Sequence, residues 1–211
     1  MKALPFLEMF EDIAPLQPLH FFSLSFPCRY SSGKEIGNKK YLLPSTSSYL
    51  KEEAFSQCYL AWNEEKIFFR IEVDYPMQTE EEEFLELFID TKDQKHRRFS
   101  SLFSHHFIFF LSPVEGNYGR EVTRFSKESH PLCNPKDLQV KIGKKSGSFS
   151  MDIAIPRYAL HGYDPNQTKK IGFTYKINHK ERAKEHFSAS SQEVNIAQNS
   201  YLWATAHMLL K

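Results

Sequence analysis

Two alternating runs joined by three polar residues constrain this chain more than any other feature. In "CYLAWNEEKIFFRIEV", Cys58, Leu60 and Trp62 alternate with Tyr59 and Ala61, and Asn63-Glu64-Glu65 supplies a turn. Ile67, Phe69, Ile71 and Val73 then alternate with Phe68, Arg70, Glu72 and Asp74. Successive side chains of a strand point to opposite faces, so period two on both sides of a tight turn predicts a β-hairpin. "FLELFID" repeats the pattern, with Leu85, Leu87 and Ile89 on one face and Phe84, Glu86, Phe88 and Asp90 on the other. "HFIFFL" has the length of a strand, and "DLQVKIGKKSGSFSMDIAIP" reads as a second hairpin with its tip at Gly143 to Gly147. "KIGFTYKIN" and "SYLWATAHMLL" complete the set, while "PRYALHG" and "HKERAKEHF" read as brief helices and residues 29–50 as a loop. Strands parted by polar turns predict an all-β chain, a single-domain antiparallel β-sandwich with short connecting helices.

Composition agrees with that class. The 19 Phe and 10 Tyr need a sizeable core and favour strands. With 27 basic against 26 acidic side chains, the chain has no general attraction for nucleic acid or an anionic membrane. No run approaches the roughly 20 apolar residues of a membrane helix, so membrane insertion is not expected. Residues 1–20 read as an N-terminal extension in which Glu8, Glu11 and Asp12 interrupt the apolar stretch, unlike a cleavable secretory signal. The expected location is therefore cytoplasmic, with signal-independent export left open. Cys28, Cys58 and Cys133 are far apart and form no CxxC, which predicts reduced, mostly buried thiols.

From residue 21 to the C-terminus the order of segments resembles the carbohydrate-binding module family 9-like domains, β-sandwiches related to the DOMON domains. "CYLAWNEEKIFFRIEV" is similar to the family's Trp-containing hairpin and "FLELFIDTKD" to its acidic strand end. "FSHHFIFFLSP" resembles the following strand, in particular that of a bacterial subgroup, and "FSMDIAIPRYALHGYDP" the strand that ends in Ile-Pro. "IGFTYKINH" and "YLWATAHMLL" resemble the closing pair. The resemblance implies a module that binds a glycan or another small polar ligand. Sugar-binding members clamp a terminal sugar between two exposed Trp side chains. This chain has only Trp62 and Trp203, and both read as core residues.

The stretch "DTKDQKHRRFSSLFSHH" admits a metal reading through Asp90, Asp93, His96 and one of His105 or His106. Adjacent strand residues face opposite ways, so His105 and His106 cannot share an ion. The acids also miss the calcium-loop spacing, so no transition metal is expected and a calcium near Asp90 or Asp93 would be structural. The basic group Lys92, Lys95, Arg97 and Arg98 reads as a solvated loop near the acids Glu80 to Glu83. An architectural reading fits better: Asp90 and Thr91 accept hydrogen bonds from turn amides, and one imidazole faces inward and finds a partner.

No G-x-S-x-G elbow, H-E-x-x-H motif or glycine-rich phosphate loop is present, and no cofactor is implied, so the chain reads as non-catalytic. Glu72 and Glu86 are better explained as strand carboxylates than as a glycosidase pair. The candidate ligand-binding residues are Arg70, Glu72, Glu86, Lys176 and Asn178, with His106 in addition, because each alternates with inward apolar neighbours. On neighbouring strands they would line one groove suited to a neutral polyhydroxy ligand, with Tyr75 or Tyr118 as a stacking surface. Two alternatives stay open. One is a haem-binding DOMON-type domain with axial ligands among Met77, Met151, His106 and His207. The other is a protein-interaction sandwich with no small ligand.

Overall fold

The computed structural model describes residues 24–74, 83–96, 101–122, 130–145, 147–179, 184–191 and 195–210. Residues 1–23, Tyr75, Met77, Arg97, Arg98, Glu80 to Glu82, and residues 180–183 of the second expected helix lie outside them.

Eleven strands follow one another: β1 (Ser25–Tyr30), β2 (Ser56–Trp62), β3 (Lys66–Val73), β4 (Glu83–Asp90), β5 (Ser104–Val114), β6 (Asn117–Glu121), β7 (Gln139–Lys145), β8 (Ser148–Pro156), β9 (Lys170–Ile177), β10 (Glu185–His186) and β11 (Ala204–Leu209). Their order is β6-β5-β4-β9-β11-β1-β2-β3-β8-β7, with β10 added to β9. The path curls so that β3 and β8 face β9 and β4. Phe69 on β3 lies 5.9 Å from Phe173 and 5.8 Å from Tyr175 on β9, and Phe149 on β8 lies 5.5 Å from Phe84 on β4. The result is a β-sandwich whose two layers meet through aromatic rings.

The two hairpins form where the alternation places them. β2 and β3 pair from Ser56↔Val73 to Trp62↔Ile67, and Asn63 caps the turn by accepting from the amides of Glu65 and Lys66 at 2.9 and 2.8 Å. β7 and β8 pair further than expected, out to Lys145↔Ser148, and Gly147 takes the positive φ (+80°) that a tight hairpin turn needs. "PRYALHG" contributes only the single 3-10 turn Arg157–Ala159. In "HKERAKEHF", Glu185 and His186 form the short strand β10.

Two features depart from the sequence reading. β1 falls partly within the expected loop and pairs in parallel with both β11 and β2, so the sheet is mixed at that one strand. Phe84 turns into the core instead of lying beside Glu86, because the pairing of β4 with β5 shifts between Glu83 and Leu85. Such an irregularity re-aims a side chain at a sheet position.

Trp62 fastens the parallel strand. Its indole Nε1 donates to the Cys28 carbonyl at 3.0 Å, its ring meets Tyr30 edge-on at 5.6 Å, and it is 1% exposed. Trp62→Ala is expected to lower stability by about 3–5 kcal/mol, since it leaves both a cavity and an unpaired carbonyl. Chemical denaturation would check the value, and Trp62→Phe should cost less because it keeps most of the ring.

Candidate functional site

The six residues expected to line one groove fall into two groups on opposite outer faces. Arg70 and Glu72 leave β3 on one side, while Glu86 and Lys176 leave β4 and β9 on the other. His106 on β5 and Asn178, just past β9, join Glu86. The single-groove expectation fails because β3 and β4 are not neighbours: β9, β11, β1 and β2 separate them along the sheet.

The first group borders an open cleft of about 730 Å³ over β3, β8 and β7. Two cross-strand rows form its floor, Arg70–Asp152–Lys141 and Phe68–Ala154–Gln139. Residues 32–38 form its wall. Glycines allow that wall to approach: a Cβ on Gly33 would stand 2.9 Å from the Phe68 ring, and one on Gly37 would stand 3.1 Å from Arg70 Nε. Gly33 also holds φ at +87°, a conformation that favours glycine.

Arg70 is set before any ligand arrives. Its Nε donates to Glu72 Oε1 at 2.7 Å, and its Nη1 donates to both Asp152 oxygens at 2.7 and 2.8 Å. Burial opposes the guanidinium charge, but the Asp152 and Glu72 bonds outweigh it and hold the group above its ordinary pKa. Half-exposed pairs of this kind contribute about 0–1 kcal/mol each, so they orient Arg70 more than they stabilise the fold. Tyr59 continues the row, its hydroxyl reaching Glu72 Oε2 at 3.2 Å and Gln57 Oε1 at 3.0 Å. Lys66 Nζ donates to Gln139 Oε1 at 3.0 Å. Asp152, Lys141, Lys66 and Gln139 escaped the sequence reading because only the β3–β8–β7 pairing brings them beside Arg70.

In the second group Glu86 and His106 are buried and Lys176 and Asn178 half-buried. Glu86 Oε2 meets His106 Nε2 at 2.8 Å, and Oε1 accepts from Asn178 Nδ2 at 3.0 Å and from Lys176 Nζ. Burial pushes the carboxyl up, but the bonds from His106, Lys176 and Asn178 pull it further down, well below the usual carboxylate range. Phe88 stacks on the His106 ring at 4.2 Å and meets Trp203 at 5.7 Å. Trp203 is itself 2% exposed and donates through Nε1 to the Ile196 carbonyl at 2.7 Å. Glu86 and His106 are thus packed beneath a cover, with His106 Nε2 held against Glu86 Oε2.

At the turn after β4 Asp90 acts as expected, whereas Thr91, expected to accept from turn amides, donates to a carbonyl instead. Asp90 accepts from the amides of Lys92 and Gln94, both at 2.9 Å, and Thr91 Oγ1 donates to the His161 carbonyl at 2.7 Å. Asp93 engages Lys95 at 2.9 Å, Lys170 at 3.3 Å and the Thr205 hydroxyl at 2.9 Å, so ammonium groups stand where a calcium would bind. His105 and His106 point to opposite faces, and both meet carboxylates. Of the described haem-ligand candidates, Met151 is in the main core, His106 is on the outer face and His207 is exposed on β11, so they do not converge. Tyr118 lies on β6 and does not line the cleft. Among the described residues, no helix is long and apolar enough to cross a membrane.

No protein-family model matches the sequence, and neither does any curated protein. Solved structures do match the fold. A family 9 carbohydrate-binding module from Caldicellulosiruptor kristjanssonii, in complex with cellotriose, is 12% identical at a TM-score of 0.61, over 89% of this chain and 94% of that one. A family 9 module from the same organism in complex with glucose gives the same identity and TM-score, over 89% and 96% of the two chains.

Glu86 makes stability depend on acid. A carboxylate whose folded pKa lies below its unfolded value stabilises the fold above the unfolded pKa and loses that contribution as pH falls through the folded one. Stability should therefore decline as pH drops below the ordinary value of 4.5. Glu86→Gln should flatten that decline and cost on the order of 3 kcal/mol near neutral pH, because it leaves buried partners unpaired. Denaturant titrations of both proteins from pH 7 to pH 3 would check it.

Proposed function

We propose that this chain is a non-catalytic glycan-binding module and that the cleft over β3, β8 and β7 holds the ligand. The observation that carries the reading is the Arg70 fork, fixed between Asp152 and Glu72 on the floor of an open polar cleft. Arginine and carboxylate groups in this arrangement hold vicinal hydroxyls through paired hydrogen bonds. The likeness of fold to modules crystallised with cellotriose and glucose supports the same class of ligand.

The ligand differs in one respect from a stacked neutral glucan. Trp62 and Trp203 are both buried, so neither supplies a stacking platform, and Phe68 on the cleft floor is covered by the loop around Ile36. Lys34, Lys66, Arg70 and Lys141 line the cleft against Glu35 and Asp152. That excess of positive charge favours a saccharide bearing a carboxylate or another acidic group over the neutral ligand expected from sequence.

Binding to an array of neutral and uronate-containing oligosaccharides is the direct test. The expected result is binding of acidic glycans, lost in Arg70→Ala and Asp152→Ala while both variants melt within a few degrees of wild type. Equal binding of neutral cello-oligosaccharides by wild type and Arg70→Ala would overturn this placement of the site.

A further inference from the structure

A second group of buried side chains shares no residue with the cleft and has a composition that calls for a cation. His105 at the start of β5, Glu121 at the end of β6 and His130 in the segment before β7 bring their ligating atoms within 4.8 Å of one another. His105 Nδ1 lies 2.6 Å and His130 Nε2 lies 2.7 Å from the same oxygen, Glu121 Oε1. The side chains are 0%, 5% and 1% exposed for His105, His130 and Glu121.

The far side of each imidazole decides what faces the carboxylate. His130 Nδ1 is 2.8 Å from the Leu102 carbonyl, and His105 Nε2 is 3.3 Å from the His161 carbonyl. A carbonyl only accepts, so each of these nitrogens carries the hydrogen. A neutral imidazole has one N–H, and here it is spent on the far side. His105 Nδ1 and His130 Nε2 then turn lone pairs toward an anionic oxygen, and three acceptors meet with no donor between them. A proton on one ring would supply one donor and leave the other lone pair facing the carboxylate, and protons on both would create two imidazolium ions with ring centroids 4.1 Å apart in a buried place. One divalent ion supplies the same charge at a single point.

We propose that His105, Glu121 and His130 form a binding site for a divalent transition metal of the zinc class. Two imidazole nitrogens and one carboxylate oxygen are zinc donors, with the fourth tetrahedral position left for water. Calcium, which takes six to eight oxygens, does not suit them. The Leu102 and His161 carbonyls provide the outer hydrogen bonds that orient metal-binding histidines, and the Cys133 amide pins Glu121 Oε2 at 2.8 Å. Opening the present separations by less than about 1 Å would seat an ion with bonds of about 2.0–2.1 Å. The exposed His161 ring lies parallel to His130 at 5.8 Å. The assignment reverses the sequence expectation of no transition metal. Sixteen residues separate His105 from Glu121, so no compact motif announced the site.

The test is titration of the chelator-stripped chain with Zn²⁺ alone, followed by calorimetry, with Co²⁺ absorption as a report on geometry. One Zn²⁺ per chain, a tetrahedral Co²⁺ spectrum and a rise in melting temperature are expected. His130→Gln should weaken Zn²⁺ by at least about tenfold and remove the rise in melting temperature. His207→Gln, on the exposed face of β11, should change neither. Should His130→Gln fail to fold, nitrogen-15 spectra of the wild-type imidazoles settle the question, because Zn²⁺ must shift His105 and His130. No uptake of Zn²⁺, uptake that leaves those two rings unshifted, or equal affinity in a folded His130→Gln would overturn the proposal. None of these outcomes depends on whether a glycan binds the cleft.

Discussion

Phe69 packed against Phe173 and Tyr175 is the contact on which the placement of every polar group depends. The three rings belong to strands in opposite layers, and each ring points inward. Along a strand an inward residue forces its neighbours outward. Arg70 must therefore leave the sandwich on the β3 side and Lys176 on the β9 side, whatever their charges would prefer. Burying a Phe side chain contributes about 1.5–3 kcal/mol, whereas a half-exposed ion pair contributes about 0–1 kcal/mol. Packing decides the direction, and the charged residues find partners on the face that remains to them. Arg70 finds Asp152 and Glu72, and Lys176 finds Glu86.

The same accounting governs the buried carboxylates. Glu52, Glu86 and Glu121 each meet an imidazole. Glu52 holds β10 through the amide and Nδ1 of His186, at 2.9 and 2.8 Å, while His186 Nε2 meets Ser191 at 2.7 Å. Glu86 has Lys176 and Asn178 as further donors, so its charge is balanced within its own cluster. Glu121 has two histidines whose outer nitrogens face carbonyls, and the Cys133 amide. One residue pairing thus gives two outcomes. Where an ammonium is present the carboxylate is neutralised within its cluster, and where two imidazoles meet one carboxylate oxygen the proposed metal ion would supply the charge.

What could be read in the sequence was whatever a single strand decides about itself. Alternation from Cys58 to Val73 set the first hairpin, and Asp90 before a polar run set the turn whose amides it accepts. Both depend on neighbours within a few residues. β1 escaped because its parallel partners, β11 and β2, lie far away in the chain and "SFPCRY" shows only two buried alternates, Phe26 and Cys28. Phe84 escaped because an irregular pairing has no signature in one strand alone. The candidate site suffered most, since it depends on which strands are adjacent. Asp152 could be joined to Arg70 only by knowing that β8 pairs with β3.

That no indole among the described residues faces the cleft follows from how the two Trp side chains are used. Trp62 ties β2 to the parallel strand β1, and Trp203 covers the Glu86–His106 pair through Phe88. Moving either to the surface would open a core cavity and strand a buried N–H, so neither is available to a ligand. Recognition in the proposed site would then come from directed hydrogen bonds. Those bonds are costly to form with mobile side chains, because each immobilised long side chain costs about 0.5–1.5 kcal/mol on binding. Here that ordering has already taken place in the fold, as Arg70 is held by Asp152 and Glu72 and the wall closes on it through Gly37. If the proposed site is right, a floor of fixed donors and acceptors would read the position of hydroxyl and acidic groups rather than the flat face of a sugar ring.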